Sequence, residues 1–227
     1  MWRQIYESSW HHPVSFIAIN ALVLGAVVFS KSALRAFLLV FTAEILLDAT
    51  LTAKGAPIPA SWGPYIGIPF VILGDARALI LVERIRRLQR ASEWKSDRPT
   101  RATLAGLAMA FVVPVLQTVL LKSMPAVFAD SRKLFLAYEV LFFVGWSAYF
   151  ALVVRPSLAR IEPSLARWAR AIYLFVAAQY ALWATSDVSI LQGLDAGYAL
   201  RLVPNTLYYA LFLPFVWRSA PPEVRAP

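Results

Sequence analysis

Apolar runs of about twenty residues alternate with short basic or proline-rich connections along the whole chain. A helix needs roughly 17–25 apolar residues to cross the hydrocarbon layer of a bilayer. On that ruler the pattern predicts about seven spans, near Pro13–Ser30, Ala33–Ala53, Tyr65–Ile85, Thr103–Lys122, Leu134–Val154, Ala169–Asp187 and Ala199–Trp217. The runs are continuously apolar and do not alternate, which favours helices over a barrel. The expected fold is therefore all-α: one polytopic bundle over residues 1–218, with residues 219–227 as a disordered tail. The first run, Val14 to Phe29, exceeds a signal-peptide core, and no small-x-small cleavage site follows it before Lys31, so it reads as a membrane helix.

Composition agrees with a membrane protein. The 227 residues are 59% hydrophobic and only 15% charged, with a mean hydropathy of +0.61. The net charge of +9 is concentrated in the connections. Arg84, Arg86, Arg87, Arg90, Lys95, Arg98 and Arg101 follow the third run, and Arg155, Arg160, Arg167 and Arg170 follow the fifth. Lys31 and Arg35 precede the second run, and Arg218 and Arg225 lie in the tail. In a seven-span topology all four groups lie on one side, which the positive-inside rule makes cytoplasmic. The N-terminus is then outside and the C-terminus inside, in a bacterial inner membrane. The basic charge suits anionic lipid headgroups, and no nucleic-acid partner is expected. Trp10, Trp62 and Tyr65 fall at the outer edge, and Trp94, Trp168 and Trp217 at the inner one. Cysteine is absent, which excludes disulfides, thiolate metal sites and cysteine nucleophiles. His11 and His12 are the only histidines and suit the interface; neither a metal nor another cofactor is expected.

Charges break the pattern where it should be most apolar. Glu44 and Asp48 interrupt the second run, and Asp75 and Arg77 the third. A carboxylate at bilayer depth costs at least about 2.5–3.5 kcal/mol, so such residues face a bundle interior, a partner or a water-filled cavity. Helical rise places Glu44 and Asp75 at about 13–15 Å from the outer surface, near the midplane. Glu44 and Asp48 share one helix face by their i, i+4 spacing. Asn20, Gln117, Glu139, Gln179, Tyr180 and Asn205 fall in the same outer-half layer, joined by the rings of Phe16, Trp146, Trp183, Tyr208 and Tyr209. Glu44, Asp48 and Asp75 are the candidate acid–base groups. Asn20, Arg77, Glu139, Gln179, Tyr180, Trp183, Asn205 and Tyr208 are the candidate lining of a lipidic or small-molecule site. Arg77 points to a different helix face from Asp75 and can reach Glu44 or Asp48 on the antiparallel second span.

The second run, Phe41-Thr-Ala-Glu44-Ile-Leu-Leu, resembles the second helix of the small membrane-integral terpene cyclases of fungal meroterpenoid pathways, which are compact seven-helix proteins with an essential Glu at this position. Val40 and Ala43 stand where that family commonly has an Asn and a Trp, and Asn205 stands near its last-helix Asp. The resemblance implies an acid–base enzyme on an isoprenoid or other lipidic substrate, with Glu44 protonating an epoxide or alkene and the rings shielding a carbocation. A proton-coupled or small-solute carrier is the alternative. The pairing of Tyr65–Pro69 with Tyr198–Pro204 suggests a three-plus-one-plus-three arrangement for it. A membrane assembly or sensory subunit is a further alternative. A retinal protein is excluded, because the last lysine is Lys133 and the seventh run has none.

Overall fold

The computed structural model describes residues 1–8, 32–52, 59 and 62–226. The predicted first span, with Asn20, Phe16, Trp10 and both histidines, lies outside them. The described residues are helical, with no strand among them. We number the helices α1 (Trp2–Glu7), α2 (Arg35–Leu51), α3 (Gly63–Ile85), α4 (Thr100–Ala110), α5 (Val112–Ser123), α6 (Ser131–Tyr149), α7 (Pro163–Leu191), α8 (Ala196–Thr206), α9 (Phe212–Ser219) and α10 (Pro222–Arg225). Four continuous helical stretches are long and apolar enough to cross a membrane: Thr100–Ser123, Ser131–Arg160, Pro163–Leu191 and Ala196–Ser219. The helices bearing Glu44, Asp48 and Asp75 pack alongside them.

Proline explains why three of those stretches are interrupted. It has no N–H to give to the carbonyl four residues earlier. Pro114 leaves Ala110 without its donor, and α4 breaks from α5 at Phe111. Pro156 deprives Leu152, inside a π-helical turn at Phe150–Val154. Pro214 deprives Ala210, inside a second π-helical turn at Leu207–Leu211 that joins α8 to α9. Each irregular turn lies where the helix cannot close its ordinary ladder.

The core follows helical periodicity. Leu34, Leu38, Phe41, Ile45, Asp48 and Ala49 form the buried stripe just before and along α2. Leu104, Val115 and Val119 point out of the bundle and are more than half exposed. The most extensive helix contact among the described residues is between α3 and α4. Ala102, Gly106 and Ala110 repeat every four residues on the buried face of α4, and a Cβ on Gly106 would lie 2.6 Å from the backbone nitrogen of Ile80. Small residues at this spacing let helix backbones approach closely.

The connections gather at two ends. At one end the Glu162 backbone N–H donates to the Gln89 carbonyl at 2.8 Å, and its carboxylate accepts from the Ala91 N–H at 2.9 Å. The Ser164 hydroxyl and that N–H hold the Glu162 carboxyl below the usual carboxylate range. Residues 219–226, expected to be disordered, pack back here: Val224 is fully buried, Ser32 donates to its carbonyl, and α10 lies against the 3-10 turn Ala91–Lys95. At the other end α1 docks on α8. The Trp2 and Arg3 N–H groups both donate to Asp195 at 2.9 Å, which keeps that carboxyl below its usual range.

Gly106→Ala forces the α3 and α4 backbones apart. It should destabilise the protein by about 1–3 kcal/mol, read as a lower thermal midpoint in detergent. An unchanged midpoint would contradict this contact.

Candidate functional site

Helix α3 meets α2 and the last helical stretch at Arg77. The residue sits at the middle of α3 and is 2% exposed. Its Nη2 donates to the Tyr208 carbonyl at 2.9 Å, and its guanidinium lies over the rings of Tyr208, at 4.0 Å, and Phe212, at 4.7 Å. The reason that carbonyl is free lies in the π turn. In an α-helix the Phe212 N–H would donate to Tyr208; here it donates to Leu207. The displaced carbonyl is the one that Arg77 caps. Gly74 lets the two elements come so close, since a Cβ there would overlap the Tyr208 ring and hydroxyl.

The three predicted acids lie around this guanidinium and differ sharply in their partners. Asp75 is 3% exposed. One of its oxygens accepts from the Tyr138 hydroxyl on α6 and the other from the Tyr180 hydroxyl on α7. The Asp48 carboxylate accepts from the Tyr209 hydroxyl, while the Thr52 hydroxyl donates to the Asp48 backbone carbonyl at 2.7 Å. Glu44 is 6% exposed, yet neither of its oxygens has a hydrogen-bond partner among the described residues. Arg77 Nη1 faces it at 4.0 Å and has none either. The hydroxyl of Thr42, on the same helix, is also buried and unpartnered. Buried polar groups are normally satisfied, so the open Glu44–Arg77 pair marks a place for an exchangeable oxygen atom or proton. Water is one candidate: a 4.0 Å gap is too long for a direct hydrogen bond and short enough for one bridging oxygen.

Beside Asp75 and Arg77 lies a cavity of about 10 Å³, lined also by Phe142, Gln179, Tyr180 and Tyr208. That is room for about one water. The stacked rings of Phe142 and Tyr180, centroids 4.1 Å apart, help wall it, and outside it Trp183 packs at a tilt on Tyr208 at 5.3 Å. Trp183 donates its indole N–H to Asn205 at 2.8 Å. Of the predicted lining, Arg77, Gln179, Tyr180 and Tyr208 are brought to the acids. Trp183 and Asn205 stand one ring further out, and Gln117 is elsewhere, donating to the Leu134 carbonyl at 3.0 Å.

Glu139 belongs to a second cluster. Its Oε1 accepts from Arg201 at 3.1 Å. Arg201 also bonds Asp187 and donates to the Tyr6 hydroxyl at 3.1 Å, while Arg132 reaches Asp187 at 3.1 Å. The sequence pattern puts Asp187 at a span's end and misses its pairing. In fact α7 carries it, fully buried, because two arginines neutralise it there. A third buried carboxylate, Glu83, sits eight residues beyond Asp75 on α3, held by Arg86, Arg87 and the Tyr149 hydroxyl. Tyr138, Arg201, Asp187, Glu83 and Tyr149 are the polar core groups that the sequence pattern did not single out. Arg201, seven residues before Tyr208 and so on the same helix face, was the legible one.

No family model matches the chain, and neither a curated protein nor a solved structure does.

Tyr138→Phe and Tyr180→Phe each leave one Asp75 oxygen buried without a donor. Each should cost about 1–3 kcal/mol in a chemical or thermal unfolding series. A change near zero for both would remove Asp75 from the polar centre.

Proposed function

We propose that the chain is a polytopic protein of the bacterial inner membrane, crossing it about seven times with its N-terminus outside and its C-terminus in the cytoplasm, and that it is a proton-coupled carrier of a small solute. The observation that carries this reading is the Glu44–Arg77 pair, buried and 4.0 Å apart with no hydrogen bond on either facing group. Asp75 and Asp48 are committed to hydroxyl donors. No side chain or backbone N–H among the described residues is committed to Glu44, so a proton can be exchanged there through a bridging water, and Arg77 is placed to stabilise the ionised form.

Layering supports the same reading. Asp75 and Glu83 are about 12 Å apart along α3, and Tyr180 and Asp187 about 10 Å apart along α7. Ionisable groups thus recur at three levels through the core, and intramembrane acids at successive depths are the usual parts of proton pathways. The water-sized cavity beside Asp75 and Arg77 suits a proton or water.

An acid–base enzyme on an isoprenoid or other lipidic substrate is the second reading. It is favoured by the rings of Phe142, Tyr180, Trp183, Tyr208 and Tyr209 around the acids, which would shield a cation. It also agrees with the second-helix resemblance at Glu44.

Sealed proteoliposomes separate the two. A carrier acidifies or alkalinises the lumen when a solute or pH gradient is imposed, and Glu44→Gln brings that flux to background. An enzyme converts added isoprenoid without flux, and loses about 100-fold or more in rate in Glu44→Gln. Full flux in Glu44→Gln would overturn the carrier reading at its central residue.

A further inference from the structure

We infer that Arg77 is a latch on the π turn and that the charge on Glu44 decides whether it is closed. The inference rests on the proton-exchanging reading of Glu44 and adds how a proton there changes the shape of the bundle.

The Tyr208 carbonyl exists as a free acceptor only because the Leu207–Leu211 turn is wound as a π-helix. In a buried, ring-lined place an unpartnered carbonyl is costly. Arg77 Nη2 removes that cost with its 2.9 Å hydrogen bond. The guanidinium also lies over the rings of Tyr208 and Phe212, the residues that carry the free carbonyl and the diverted N–H. Without Arg77 the Phe212 N–H can return to the Tyr208 carbonyl and the turn can rewind by one residue, with Pro214 leaving only the Ala210 carbonyl open. That removes one extra residue from the turn and moves α9 by about 1.5 Å along the axis and about 100° around it. Ser219 and the inner end of the helix would move with it.

Only one group competes for Arg77. The charged and titratable side chains near it are Glu44 and Asp48 from α2, Asp75 on its own helix, Tyr138 from α6, Tyr180 from α7, and Tyr208 and Tyr209 on the turn. Asp75 is filled at both oxygens by Tyr138 and Tyr180. Asp48 is held by the Tyr209 hydroxyl. Of these acids Glu44 is the one with both oxygens open among the described residues, and an ionic hydrogen bond with Arg77 Nη1 needs the present 4.0 Å to close by about 1 Å. A neutral Glu44 leaves Arg77 on the carbonyl and the turn π-helical. An ionised Glu44 draws the guanidinium toward α2, releases the carbonyl and lets the turn reset. One proton thereby moves the inner half of the last helix relative to α3.

The chain has no cysteine, so labels can be placed without background. Leu104→Cys, on the exposed face of α4, and Arg218→Cys, at the exposed end of α9, flank the turn. Electron–electron distance measurements on the full chain in lipid nanodiscs should give two populations differing by several ångström, exchanging weight between acidic and alkaline buffer. In Glu44→Gln the acidic population alone should remain at every pH. In Arg77→Met, which cannot cap the carbonyl, the alkaline population alone should remain. A distance that ignores pH in the unsubstituted core, or a pH shift that survives in Glu44→Gln, overturns the latch. If flux depends on Glu44 while these distances stay fixed, the latch falls and the carrier reading stands. If the distances shift with Glu44 and no flux is found, the reverse holds.

Discussion

The cost of burying charge governs this bundle. An ionised side chain away from water is tolerated only when partners surround it, and removing one partner costs several kcal/mol. Almost every charged group in the described core obeys that demand. Asp75 has two hydroxyls, Glu83 two arginines and a hydroxyl, and Asp187 two arginines. Glu44 and the facing nitrogen of Arg77 do not. Glu139 and Asp187 each keep one oxygen bonded and one open, whereas Glu44 has neither bonded among the described residues, and its pairing with Arg77 is where chemistry has room to occur.

The helices deliver these groups by ordinary means. Periodicity turns the acids of α2 inward with Leu38, Phe41 and Ile45. Glycine lets α3 approach its neighbours at Gly74, and a small-residue stripe lets α4 approach α3 at Gly106. Prolines then open the backbone ladder at chosen places, and in the last helix the opened ladder supplies an acceptor to Arg77. The irregular turn and the buried arginine explain each other: each would be unfavourable alone.

Much of this was legible in the sequence. Six of the predicted runs coincide with helices to within a few residues, apart from the longer α7, because long apolar runs leave few alternatives. Spacing along α2 correctly put Glu44 and Asp48 on one buried face, and the reach of Arg77 toward Glu44 followed from antiparallel neighbours. The partners of the acids were not legible. Periodicity says which residues share a helix face but not which face of another helix they meet, so Tyr138 was passed over beside Glu139 and Arg201 beside its apolar neighbours. Asp187 looked like the end of a span because its neutralising arginines are 55 and 14 residues away. Pro114, Pro156 and Pro214 were all visible, yet only the carbonyl four residues before each of them tells where the helix gives way. The tail looked disordered because proline and alanine dominate it, whereas Val224 anchors it in the core.

If Glu44 is an exchangeable proton site inside the bundle, its protonation has a vibrational signature. Infrared difference spectroscopy of the protein in lipid, between acidic and alkaline buffer, reads that signature without any assumption about substrate. A protonated-carboxyl band should appear on acidification, be absent in Glu44→Gln and persist in Glu139→Gln. A spectrum in which no carboxyl band depends on Glu44 would contradict the proton site.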